Sequence, residues 1–417
     1  MTEITRRSFV RLSVAAPAAA LWTTRLAPLI AAETGPVLNG DFSGGCCLAE
    51  GVKDGALVCR PNTPAKASGN LWYWFTARLT GGKGRQAIEL HWPDDDPDIK
   101  AKSEYGANKN FATVLDRAIN VSADLLRWES VADVRLDGQS ARFTVDAGDG
   151  TAPLYIAVGF PWFARNHEQL LAECRASPLA KVTEVARTQN DQTVYAIRIG
   201  PAGKGEGTFY VQGYQHATEW AGARISGSMI RHLLSDAGKP LRERYVFHIV
   251  PAMNVGHLYG KGAAGNMNRD WEAFTMPETT GVRDYLRRAI AGGERLLHAL
   301  DLHMGWSSRD SSGACLTASI KGAAPDAIID RQAAFARHAF ARCDWTTEKI
   351  WRHNITQGRS FAGWAVAELG ISAQTAEFSR HIVWDRASRQ WVRVAQAHED
   401  RLGIDLAEAL GSFAWEK

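Results

Sequence analysis

Two short segments constrain this chain more than any other part of it. His216-Ala-Thr-Glu219 places an imidazole and a carboxylate three positions apart, and 84 residues beyond the glutamate Leu300-Asp-Leu-His303 supplies a second imidazole. Two imidazoles and one carboxylate make a ligand set for one zinc ion, and three protein ligands leave a fourth position open to water. A closed four-ligand site would be architecture, whereas an open one is chemistry and points to a hydrolase. Either way, the fold must bring two distant stretches to one point.

The flanking residues say how. Thr208-Phe-Tyr-Val-Gln-Gly213 reads as a buried strand, and Ala221 to Leu234 has helical periodicity through Ile225, Met229, Ile230 and Leu233. The first ligand pair therefore falls on a strand-to-helix turn. Leu296, Leu297, Leu300 and Leu302 surround Asp301 in an apolar stretch that ends at His303, so a strand delivers the last ligand at its C-terminal end, where open α/β sheets build their sites.

Further segments follow in order: Pro251-Ala-Met-Asn254, Gly265-Asn-Met-Asn268-Arg269-Asp-Trp271 and Ala373-Gln-Thr-Ala-Glu377-Phe-Ser379. Over residues 205 to 410 the pattern resembles the zinc carboxypeptidase family, the carboxypeptidase A-like clan. Gly358-Arg359, Trp364 and Glu368-Leu-Gly-Ile371 look more specifically like its cytosolic-carboxypeptidase branch, which carries an N-terminal β domain. The resemblance implies one zinc ion held by His216, Glu219 and His303. It implies that Glu377 is the general base, taking a proton from water at the metal and passing it to the leaving nitrogen. Asn268 and Arg269 would grip the substrate's terminal carboxylate, which a guanidinium fork matches in a bidentate way. The activity implied is hydrolysis of the C-terminal peptide bond of a peptide. Arg359, 18 residues before Glu377, would line the pocket for the last side chain and favour acidic residues.

Two features depart from the family's pattern. Where members place an oxyanion-stabilising arginine shortly before the Asn-Arg pair, this chain reads Gly256-His-Leu-Tyr-Gly-Lys261-Gly-Ala-Ala-Gly265. Lys261 is the nearest substitute, a point charge without the fork. The tyrosine that members place before the general base has no counterpart, because no tyrosine follows Tyr285. These gaps keep two other readings open: an amidase or deacylase of the same clan acting on cell-wall peptides or N-acyl amino acids, or a catalytically impaired peptide-binding protein.

The start of the chain gives an address. Thr5-Arg6-Arg7-Ser8-Phe9-Val10-Arg11 and the small apolar run Leu12 to Trp22 resemble a twin-arginine export signal spanning residues 1–32, cut near Ala32, which implies a periplasmic protein. The first 32 residues hold four arginines and one glutamate, an excess equal to the whole chain's net +3, so the remainder is neutral. Nothing strongly basic is left to attract nucleic acid or an anionic membrane. No later stretch is long and apolar enough to span a bilayer, so stable membrane insertion is not expected after signal removal. The partner expected is a peptide substrate; oligomeric state is not readable.

The fold class expected is α/β, in two domains. Residues 35–160 carry aromatic and β-branched segments separated by Gly, Asp and Pro turns, at Asn70 to Leu79, Gln86 to Trp92, Ala141 to Ala147 and Leu154 to Gly159. They predict an N-terminal antiparallel β-sandwich. Trp72, Trp74 and Trp92 read as core, with a ligand platform as the alternative, and Pro93 to Asp98 as a solvated turn, with calcium binding as the alternative. Residues 161–417, beginning with a helix from Asn166 to Ala176, predict a mixed-sheet zinc carboxypeptidase-like catalytic domain. Its strands are expected at Val194 to Ile199, Thr208 to Gly213 and Tyr245 to Val250. Helices are expected around Gly281 to Leu297, Ala327 to Ala341 and Gln390 to Leu410, on both faces of the sheet. Six cysteines show no C-x-x-C spacing; Cys59 with Cys46 or Cys47 is the nearest disulfide candidate.

Overall fold

The structure is a computed structural model that describes residues 35–62, 75–91, 119–137, 140–217, 219–260, 265–304, 315–319, 321–343, 351–353, 359–378, 382–385 and 387–415. The twin-arginine segment, Trp72, Trp74, Trp92, the acidic turn after it and Lys261 lie outside the described residues. Residues 35–417 form one compact unit.

The first half is a sandwich of short strands: β1 (Val37–Asn39), β2 (Leu48–Lys53), β3 (Ala56–Arg60), β4 (Thr76–Thr80), β5 (Arg85–His91), β6 (Ile119–Ser122), β7 (Glu129–Ser130), β8 (Arg135–Asp137), β9 (Ser140–Asp146) and β10 (Leu154–Val158). One sheet runs β1-β4-β10-β6-β7 and the other β2-β3-β5-β9-β8. Strand alternation makes the core: in β9, Ala141, Phe143 and Val145 are buried and their neighbours are not. They meet Leu79, Ile88, Leu90 and Ile156 in one apolar cluster. The expected antiparallel pairing holds except at one place, since β3 and β5 pair in parallel. Between them the chain crosses to the other sheet as β4 and returns, and an excursion of that kind restores the original direction.

The second half follows as α1 (Ala164–Ala176), β11 (Ala180–Arg187), β12 (Thr193–Ile199), β13 (Gly207–Gly213), α2 (Trp220–Leu234), α3 (Lys239–Arg244), β14 (Tyr245–Val250), α4 (Val255–Leu258), α5 (Pro277–Ala291), β15 (Leu296–Met304), β16 (Cys315–Ser319), α6 (Asp326–Arg342), β17 (Trp351–His353), α7 (Phe361–Leu369), β18 (Ser372–Phe378), β19 (Ile382–Asp385), β20 (Gln390–Arg393) and α8 (Gln396–Ser412). Eight strands form one mixed sheet in the order β11-β12-β14-β13-β15-β18-β16-β17. Its centre, β14-β13-β15-β18, is parallel. Every residue of β13, β14 and β15 is buried, as expected of a parallel sheet covered on both faces. Adjacent residues of β13 show the two covers. Phe209 packs on Phe247 and Trp415, whereas Tyr210 packs on Phe361 of α7.

Two expected helices are shorter than the sequence pattern. The one around Gly281 to Leu297 ends at Ala291, because Gly293 turns to a φ of 85° and β15 begins at Leu296. Gln390–Arg393 is a strand paired with β19, and the helix starts only at Gln396. In the first place a leucine-rich run without clear period was absorbed by a strand. None of the six cysteines is in a disulfide. Cys47, rather than Cys46, lies in hydrogen-bonding contact with Cys59 as a thiol.

The two halves share one core. Trp128, Phe160, Trp162 and Phe163 cluster with residues of the mixed sheet and its helices. Buried Arg224 of α2 donates to the carbonyls of Phe160 and Pro161 and pairs with Glu399 of α8 at 3.1 Å. Trp220, at the start of α2, sits so close over Gly159 that a side chain there would collide with its ring. The sandwich thus buttresses the helix that follows His216 and Glu219.

Candidate functional site

Glu219 is the residue just before α2, yet its side chain accepts no capping bond from the helix. Both of its oxygens go to imidazoles instead. Oε1 lies 2.9 Å from His216 Nδ1, and Oε2 lies 2.7 Å from His303 Nδ1. The two rings stand 4.9 Å apart between centroids. Donor atoms of all three residues fall within 4.8 Å of one another.

Local backbone features create this convergence. Tyr214 adopts a φ of 60°, rare for a bulky residue, and so turns the chain sharply out of β13 toward Gln215 and His216. Its carbonyl accepts from the Asn254 backbone at 2.9 Å and its hydroxyl meets His257 Nδ1 at 2.9 Å, which hold the turn. A Cβ on Gly213 would stand 2.6 Å from the backbone of Gly222, and one on Gly222 would strike the Leu302 carbonyl. Two glycines therefore let α2 descend onto the ends of β13 and β15. That approach sets Glu219 over His303.

Glu377 is Cα partner of His303 on the parallel β15–β18 ladder, so the two side chains leave the same face of the sheet. It is half-buried. Desolvation pushes its carboxyl up to about 7, with His303 and His216 pulling down and Glu219 and Asp301 pushing up. For His303 burial opposes charge, but Asp301 and Glu219 outweigh it and hold the imidazolium well above the usual range. Burial likewise disfavours charge on Glu219, and the two imidazoles override it and hold its carboxyl well below the carboxylate range. Three carboxyl groups around two imidazoles demand positive charge at this point.

A zinc ion fits that demand. Tetrahedral zinc at about 2.0–2.2 Å from nitrogen and carboxylate oxygen sets ligand atoms roughly 3–3.5 Å apart; the two Nδ1 atoms lie 2.9 and 2.7 Å from the Glu219 oxygens, so a small outward shift would admit the ion. A side chain that leaves its helix end uncapped to face two imidazoles is further evidence of fit.

The segment Gly265–Trp271 forms one wall. Asn266 Oδ1 lies 2.9 Å from His216 Nε2. Asn268 Oδ1 accepts from the Phe361 backbone at 3.1 Å, and its Nδ2 lies 3.3 Å from His303 Nε2. Asp270 accepts from Thr275, Met276 and Thr279 rather than pairing with Arg269. Burial pushes its carboxyl up, but those bonds win and keep it below the usual range. Arg269 is exposed, donates to its neighbour's carbonyl at 2.7 Å, and forms no salt bridge among the described residues. Arg359 stands at the rim, where its carbonyl accepts from the Trp271 backbone and its side chain lies 3.4 Å from Glu272.

A polar group that the sequence pattern does not single out lies beneath the three candidate ligands. Gln212, Gln215 and Asp301 are fully or almost fully buried, and both amides donate to Asp301 below His303. The signal was a charged residue two positions before His303, hence on its face, inside an otherwise apolar strand.

Residues 168–282 match the zinc carboxypeptidase family model, a stretch that includes His216, Glu219 and Arg269 and stops before His303 and Glu377. A metallo-carboxypeptidase from Burkholderia cenocepacia superposes with a TM-score of 0.70 at 20% identity, over 90% of this chain and 98% of that one. A metallo-carboxypeptidase from Pseudomonas aeruginosa, in complex with (2-guanidinoethylmercapto)succinic acid, does so with a TM-score of 0.72 at 16% identity, over 90% and 98%. The fold is that of a metallocarboxypeptidase. The likeness covers the sandwich as well as the mixed sheet, so the N-terminal β domain belongs to the shared architecture. No helix among the described residues is long and apolar enough to cross a membrane.

Proposed function

We propose that this protein is a zinc-dependent metallocarboxypeptidase that removes the C-terminal residue of a peptide. The observation that carries the reading is the meeting of His216, Glu219 and His303 within 4.8 Å, with Glu377 beside His303 on the neighbouring strand. His216, Glu219 and His303 would hold one zinc ion. When bound, the ion supplies a Lewis acid that polarises the scissile carbonyl and acidifies water.

The remaining work falls to side chains of this chain. Glu377 receives the proton of the attacking water and delivers it to the leaving nitrogen; its position next to a ligand, outside the ligand set, supports that role. Arg269 presents its guanidinium to the substrate's terminal carboxylate, supported by its exposure and by an Asp270 engaged elsewhere. Asn268, held by the Phe361 backbone through its Oδ1, offers its NH2 to the same carboxylate. Lys261 is proposed for the oxyanion on the strength of its place in the sequence, and Arg359 for the rim of the side-chain pocket.

The test is a digest of mixed peptides read by mass spectrometry. Wild-type protein should shorten peptides by one C-terminal residue, and Glu377→Gln should leave them intact. Internal cuts, or equal shortening by the variant, would defeat the reading. Export is proposed from Arg6-Arg7 and the apolar run after them; a cell-fractionation blot that leaves the protein in the cytoplasm at full length would refute it.

A further inference from the structure

We infer that Asp301 is a positioning residue for the metal site, which fixes the ring and the donor atom of His303 and thereby sets how tightly zinc is held. The inference rests on the reading of the site as a zinc centre.

Asp301 is two residues before His303 on β15, so both side chains leave the same face. It is completely buried, and an ionised carboxylate in such a place must be fully hydrogen-bonded. Gln215 Nε2 donates to Oδ1 at 2.9 Å and to Oδ2 at 2.8 Å, and Gln212 Nε2 donates to Oδ1 at 3.1 Å. The remaining partner is His303, whose Nε2 lies 2.8 Å from Oδ2. A carboxylate can only accept, so the imidazole carries its hydrogen on Nε2 and turns the Nδ1 lone pair toward the ion shared with Glu219. A ligating imidazole backed by a carboxylate is better oriented and more basic.

His216 is backed differently. Its Nε2 meets the neutral amide oxygen of Asn266 at 2.9 Å, in a more exposed setting. The two ligands are therefore unequal, and the buried, carboxylate-backed His303 is the anchor. The backing also reaches the substrate loop. Gln215 Oε1 accepts from Trp271 Nε1 at 3.0 Å, which orients the amide so that its NH2 faces Asp301. Trp271 stands two residues after Arg269, so the loop that presents the guanidinium also holds the amide that steadies Asp301.

The measurement is the zinc dissociation constant of the full chain, by competition with a chromophoric chelator, with the visible spectrum of the cobalt(II) form as a second readout. Circular dichroism of the metal-free proteins checks that each is folded. Asp301→Asn should weaken zinc by about 10- to 100-fold and shift the cobalt bands, since a neutral amide replaces the carboxylate behind His303. Trp271→Phe keeps the ring in the core, removes only the indole donor, and should weaken zinc a few-fold even if Asp301→Asn proves unfolded. A purely structural Asp301 would lower the melting temperature and leave affinity and spectrum unchanged. Tight zinc in wild type with unchanged constants in both folded variants overturns this inference and leaves the enzyme assignment standing. A wild-type chain that binds no zinc overturns both.

Discussion

The two faces of β15 carry one histidine each and treat it in opposite ways. His298 and His303 are both buried, five residues apart on the same strand. His298 points to the face closed by Trp415 and Phe335, with ring centroids at 4.8 and 4.6 Å, and its Nδ1 lies 3.0 Å from Ser372 Oγ. Burial pushes its imidazole down to about 3. His303 points to the face where Asp301, Glu219 and Glu377 gather, and its imidazolium is held far above the ordinary range against the same burial. The lesson is that burial alone does not make a ligand. The layer opposite decides whether a buried histidine is a neutral aromatic plate or a group that demands a cation.

The largest predicted contrast is between the two histidines. His303→Ala should abolish zinc binding and hydrolysis together, because a ligand and the partner of Asp301 both vanish. His298→Ala should keep one zinc per chain and full activity at low temperature while costing roughly 2–5 kcal/mol of stability, the usual scale for emptying a buried aromatic site. Atomic emission analysis and thermal unfolding separate the two; loss of zinc from the His298 variant would erase the distinction between faces.

Next in size, Glu377→Gln should lower kcat by about 10²- to 10⁴-fold with zinc retained, which would make it a base and not a ligand. Zinc lost along with activity would move Glu377 into the ligand set. Arg269→Ala should cost roughly 10- to 100-fold in kcat/KM on peptides with a free C-terminus, the worth of one charge-assisted contact. Peptides with an amidated end should be poor for wild type and no poorer for the variant. Equal kcat/KM for both proteins on free-ended peptides would favour the amidase reading.

The smallest effect is on acid stability. His298 has a folded pKa of about 3 and an unfolded value near 6.5. Above pH 6.5 both states are neutral and the group contributes no pH dependence. Below it the unfolded chain takes the proton first, so stability is lost at about 1.4 kcal/mol per pH unit down toward pH 3. His298→Phe removes that proton, so the variant's melting temperature should gain on wild type as pH falls from 7 to 5. A constant difference over that range would mean that His298 takes up its proton in the fold as readily as in the unfolded chain.

Much of this was legible in the chain because strands and helices announce themselves by period. The buried strands Gly207–Gly213 and Tyr245–Val250, the amphipathic helix after Glu219 and the sandwich strands follow from apolar runs and turn residues. The helix around Gly281 was read too far, into residues that form β15, because a leucine-rich run has no period to tell strand from helix. The parallel β3–β5 pair depends on where β4 goes, which no local pattern records. At the site, His216, Glu219 and His303 stood out by type and spacing. Asp301, Gln215 and the Gly213–Gly222 contact did not, because their meaning lies in what the opposite segment brings to them. Asn268 is expected to face substrate; its Oδ1 is engaged by the Phe361 backbone, which leaves its NH2 beside His303.

The central claim is that one zinc ion sits between His216, Glu219 and His303. X-ray absorption at the zinc edge on the purified full chain tests it most directly. The account predicts one zinc per chain with two imidazoles in its first shell, the remaining scatterers being oxygen, and no bound zinc in His303→Ala. Sulfur in the first shell, or a spectrum unchanged by His303→Ala, would contradict it.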